Sequence, residues 1–137
     1  MSLQDLGYAL VQVAHNFGAV AIVGGAAFML FMAPQPGSMQ RKFAWLVGLG
    51  WGTQALSGMA FGAISYHYYG SFPDIHGIAI AALAVKMLCV ASGLFLVALY
   101  LRYAGNWPDQ RRHNAWLILF TLGAIALTSA AFLRWFS

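Results

Sequence analysis

Polar residues are so sparse along this chain that long apolar runs, rather than alternation, set its organisation. Four runs with little or no charge cover residues 6–33, 43–66, 75–101 and 115–133. Each reaches or approaches the roughly 20 apolar residues that cross about 30 Å of hydrocarbon as a helix. The connections are short, and one of them, Pro34-Gln35-Pro36-Gly37, is rich in turn formers. Short loops make successive helices antiparallel neighbours. The pattern predicts an all-α fold, an integral-membrane, up-down four-helix bundle forming a single transmembrane domain over residues 1–137. Nothing reads as a strand or a second domain.

Composition agrees with the pattern. Hydrophobic residues make up 61% of the chain and charged ones only 7%, against about 25% in soluble domains. The first run lacks a basic leader and is too long for a signal peptide, so it reads as a span. Net charge is +4, but the bases sit mostly between spans, which argues against nucleic acid. Arg41, Lys42, Arg102, Arg111 and Arg112 share one side of the bundle, which the positive-inside bias makes cytoplasmic. Both termini and the loop around 67–74 then face outward, across a bacterial inner or intracytoplasmic membrane. The lone Cys89 lies within the third run and excludes an internal disulfide.

Helix starts account for the acids. Ser2-Leu3-Gln4-Asp5, Ser71-Phe72-Pro73-Asp74 and Asn106-Trp107-Pro108-Asp109 each place a capping side chain three residues before an acid, as in a capping box. Ser38 is the expected cap of the second helix. The chain has no Glu, and these three Asp residues are its only acids. Carboxylate relays and carboxylate pairs are therefore not expected. Gly48 and Gly52, and likewise Gly58 and Gly62, have the spacing that lets helices approach closely, within the bundle or between copies.

His15 is the first candidate for chemistry. An ionisable group inside a membrane span is expensive and should face the protein interior. At helical spacing it shares its face with Tyr8, Val11, Gly18, Ala19, Ile22, Gly25 and Ala26, leaving room for a flat ligand or a close helix. Gln12 and Asn16 are near enough in sequence to orient its ring. Lys86 is the second candidate. It lies ten residues beyond His76 and sixteen before Arg102, about 15 and 24 Å along a helix. No acid shares its depth, so it either snorkels or meets an anion from outside the chain: a haem propionate, a lipid phosphate or a quinone oxygen. Met59 and Met87 fall at similar depth, whereas His67 and His76 flank the outer loop. His15 with Met59, or with His76 or His67, would make ordinary haem ligation. His15, Met59 and His76 could instead bind copper. His113, beside Arg111 and Arg112, reads as surface. No CxxC, HxxxH, HExxH, GxSxG or phosphate-binding loop is present.

Several stretches resemble the CopD-like and HemJ-like membrane families. These are Val13-Ala14-His15-Asn16-Phe17 through Gly24-Gly25-Ala26-Ala27-Phe28, Arg41-Lys42-Phe43-Ala44-Trp45, Ser57-Gly58 and Ala84-Val85-Lys86-Met87-Leu88. The HemJ-like resemblance implies a haem protein that oxidises protoporphyrinogen, with His15 and Lys86 at the matching positions. The CopD-like resemblance implies copper uptake with a periplasmic partner. The chain lacks an arginine-containing end to span one and has half the spans of full-length CopD. What survives of the resemblance is a four-helix scaffold with a histidine site in its outer half; the first reading of it is a b-type haem subunit that passes electrons, within a larger membrane complex and with a quinone or periplasmic redox partner. Copper handling, or a non-catalytic accessory role in a respiratory, photosynthetic or monooxygenase complex, are the alternatives.

Overall fold

A computed structural model describes residues 1–136. It contains α1 (Leu3–Phe31), α2 (Gly37–Tyr69), α3 (Ile78–Tyr103), a 3₁₀ turn at Ala104–Asn106 and α4 (Asp109–Phe136). No strand occurs among the described residues. Helices α1, α3 and α4 are each long and apolar enough to cross a membrane. Helix α2 is long enough, but Thr53, Gln54 and Ser57 interrupt its middle. The four helices form an up-down bundle in which α1 packs chiefly on α2 and α4, and α3 on α4 and α2. Helices α1 and α3 therefore stand on a diagonal. One end holds the start of α1, the end of α4 and the α2–α3 loop; we call it the terminal end. The other, with Arg41, Lys42, Arg111 and Arg112, is the basic end.

The helix starts follow local chemistry only in part. Ser2 and Asp5 form the expected capping box at α1, with Asp5 N donating to Ser2 Oγ and Ser2 N to Asp5 Oδ2, both at 3.1 Å. The expected box at Asp74 does not form. The loop folds back on α2, with Ser65 Oγ donating to the Ser71 carbonyl at 3.0 Å and Phe72 packed on Tyr66. Helix α3 consequently starts only at Ile78, after Gly77 at φ +59°, and Asp74 pairs instead with His76 at 3.3 Å. Helix α2 begins at Gly37 with Pro36 as its cap residue, so Ser38 lies inside the helix rather than capping it. Asn106 sits in the 3₁₀ turn, while Asp109 opens α4 and pairs with Arg112.

Packing is uneven along the bundle. The largest fully buried side chains, Trp51, Leu119 and Val47, lie in the half toward the basic end. There Tyr100 Oη donates to Gln40 Oε1 at 2.6 Å and accepts from Trp116 Nε1 at 3.0 Å. Arg41 also reaches the Leu101 carbonyl at 2.8 Å, tying α2 to α3. Two glycine contacts fix how closely the helices approach. A Cβ at Gly50 would stand 2.9 Å from the Gly18 carbonyl, and one at Gly93 would overlap the Trp51 indole. Gly48 packs on Val97, so that part of the glycine pattern serves the bundle itself, whereas Gly52 and Gly58 face open space. Toward the terminal end the buried side chains are small or polar: Gln54, Ser57, Ser65, Ala79, Ala82 and Ser129.

Candidate functional site

The junction of these two halves holds the polar residues that matter. His15 projects from α1 toward the bundle axis, because it lies on the same helical stripe as the buried Ile22 and Ala26. Lys86 lies on the corresponding stripe of α3, with buried Ala79, Ala82 and Gly93. The two side chains meet across the diagonal, Lys86 Nζ standing 3.0 Å from His15 Nε2. On the other side of the ring, His15 Nδ1 lies 2.5 Å from Ser57 Oγ. Ser57 donates its own proton to the Thr53 carbonyl at 2.6 Å. Gln54 Nε2 holds the His15 carbonyl at 2.6 Å, and the Phe61 ring edge packs on the imidazole with centroids 5.8 Å apart.

Proton counting gives these contacts a direction. A serine has one proton, and Ser57 commits it to Thr53. Its oxygen must then accept from His15 Nδ1–H. That leaves the lone pair of the neutral imidazole on Nε2, where it accepts an N–H from Lys86. The chain of donors runs from Lys86 through His15 and Ser57 to the α2 backbone. An ammonium carries three donors, and among the described residues no carboxylate lies at this depth, since Asp5, Asp74 and Asp109 all sit at helix ends or in the loop. Lys86 is therefore a cationic donor with spare capacity and, among the described residues, no anionic partner.

Other expected site residues lie elsewhere. Met59 is 68% exposed and Met87 63% exposed. Met59 stands two residues past Ser57, about 200° round α2, so it points away from His15. His67 is exposed and packs edge-on to Tyr68; His76 is exposed beside Asp74. His15, Met59 and His76 are not brought together, and among the described residues no group of three or more His, Cys, Asp or Glu side chains gathers into a metal cage. Gln12 and Asn16 do not orient the ring either. They bond to each other, Gln12 Nε2 donating to Asn16 Oδ1 at 2.7 Å, and Ser57 has the orienting role. Ser57 and Gln54 carried a usable signal, two polar side chains one turn apart inside an otherwise apolar run. Beside Ser57, a shallow apolar groove of about 400 Å³ runs between α1 and α2, lined by Leu10, Val11, Ala14, Thr53, Leu56 and Ala60.

No family model, curated protein or solved structure matches this chain. Only its own residues bear on function.

Proposed function

We propose that this chain is a small integral-membrane subunit that binds b-type haem through His15 and serves electron transfer within a larger membrane complex, exchanging electrons with a quinone or a periplasmic partner. The observation that carries the reading is the directed contact set at His15. Its Nδ1–H is fixed by Ser57, its Nε2 lone pair faces the bundle axis, and a cation without a carboxylate stands beside it. A ligating histidine typically has its second nitrogen held by an acceptor in this way. The donor set fits such a group: an imidazole held through its second nitrogen, and a cation beside it for an acidic substituent. Small buried side chains, Ala79, Ala82 and Ser129, lie toward the terminal end from the pair.

His15 would hold the iron, Lys86 would neutralise a propionate, and Ser57 would keep the imidazole in the ligating tautomer. Met59, His67 and His76, which lie away from His15, would take no part in holding the haem. Bound haem would supply a one-electron couple whose potential would depend on the imidazole that holds it and on nearby charge. The basic end faces the cytoplasm and both termini face the periplasm of a bacterial inner membrane, by the bias of Arg41, Lys42, Arg102, Arg111 and Arg112.

The test is the absorption spectrum of protein purified gently from its native membrane. Wild type is expected to show a Soret band and a reduced b-type α band, and His15→Ala to lose both. Absence of a Soret band in the wild type, or its survival unchanged in His15→Ala, overturns the proposal. A C-terminal alkaline phosphatase fusion is expected to be active; an inactive fusion alongside an active cytoplasmic reporter overturns the orientation.

A further inference from the structure

The face of α1 turned away from α2 is unlike the rest of the helix surface. It carries Ala9, Gln12, Val13, Asn16, Val20 and Gly24, all exposed, and nothing lies within 4 Å of a Cβ built at Gly24. Helix α4 covers the neighbouring stripe where Gly123 meets Ile22 and Val23. Ala9, Val13, Asn16 and Val20 follow the alternating four-and-three spacing of a left-handed helix seam. An amide pair sits in the middle of that seam. The Gln12–Asn16 bond uses one N–H and one carbonyl oxygen. The Gln12 carbonyl oxygen and the Asn16 N–H groups remain, about 14 to 20 Å along the helix from its start. Hydrocarbon offers them no partner, and each unmet polar group there is costly.

We propose that this face is the interface for a second copy of the same chain, packed parallel about a two-fold axis along the membrane normal. Such an axis brings every residue to its own depth on the partner. An amide pair with both a spare acceptor and spare donors is then complementary to itself: Gln12 of one copy accepts from Asn16 of the other, and reciprocally. The seam carries no ionised group, so two copies meet without repulsion. A single Asn at a seam position fixes register and partner number. A different subunit would have to bring its own donor and acceptor to the same depth, whereas a second copy brings both by symmetry. The proposal does not depend on the cofactor at His15.

The test uses the full chain with Cys89→Ala, purified and reconstituted alone in phosphatidylcholine vesicles at low protein density. Single cysteines are introduced by Val13→Cys, Val20→Cys and, on the exposed surface of α3, Leu88→Cys. With a short bis-maleimide, Val13→Cys and Val20→Cys are expected to give a product of doubled mass and Leu88→Cys is not. Adding Asn16→Leu to Val20→Cys is expected to weaken association roughly three- to twentyfold, the range of interhelical hydrogen bonds in membranes. Circular dichroism verifies that each variant keeps its helices. The proposal is overturned if neither α1 cysteine cross-links, if Leu88→Cys cross-links equally, or if Asn16→Leu changes nothing. Cross-linking only in native membranes, to a chain of different mass, also overturns it.

Discussion

The half of the bundle toward the basic end and the half toward the terminal end are made of the same four helices, yet they are filled by opposite means. The first is packed with Trp51, Leu119, Val47 and Trp116 and clamped by the Gln40–Tyr100–Trp116 bonds. The second buries alanines, serines and a glutamine, and its principal cross-bundle tie is polar. Lipid removes most of the hydrophobic drive for helix association, so dispersion and hydrogen bonds must hold a membrane bundle together. Here the two are segregated by depth. Stability is concentrated in one half, leaving the other free to place an ionisable pair where it is expensive.

The sharpest way to break the comparison is to empty the packed half. Trp51→Ala should destabilise the fold by about 3–5 kcal/mol, the usual loss for a fully buried aromatic, read from reversible denaturation in mixed micelles. Trp51→Phe should cost much less, because the indole N–H is buried without a hydrogen-bond partner and its removal recovers that penalty. A small effect of Trp51→Ala would show that the halves do not differ in the way described.

In the polar half the sign should reverse. Lys86→Met removes a cation from hydrocarbon and should raise stability by about 1–3 kcal/mol, while weakening retention of any bound haem. A Lys86→Met protein that unfolds more easily would mean that the pair is structural. Ser57→Ala should cost about 1 kcal/mol and leave His15 as a mixture of tautomers, visible in the imidazole ¹⁵N shifts. At the far end of the scale, Asp74→Asn should leave stability and any cofactor unchanged within error, since the Asp74–His76 pair is exposed in a loop; loss of cofactor in that variant would reveal a functional carboxylate.

The helices were legible because apolar runs of this length have few alternatives, and His15 and Lys86 stood out as ionisable groups within them. That they meet each other was not legible. Their contact depends on the rotation of two diagonal helices, and no pattern within either helix encodes that rotation. Met59 shows the reverse error. Depth alone favoured it as a partner for His15, but angular position decides contact, and two residues of helix separate it from Ser57. The capping box at Ser2 and Asp5 formed because nothing competes for those residues. At Ser71 and Asp74 the tertiary anchors Phe72 and Ser65 won, and the helix started at Ile78 instead.

The diagonal placement of His15 and Lys86 also orders events in time. Helices α1 and α2 are sequence neighbours with extensive mutual contact, as are α3 and α4, so each hairpin can form soon after its insertion. The Ser57–His15 contact lies wholly within the first hairpin and can be made then. The Lys86 contact joins one hairpin to the other, so it waits until the two dock side by side. Until that docking step the imidazole lone pair is open from the side. If His15 takes the proposed haem, loading would be easiest at a stage of biogenesis when the chain is inserted but the bundle is not yet closed.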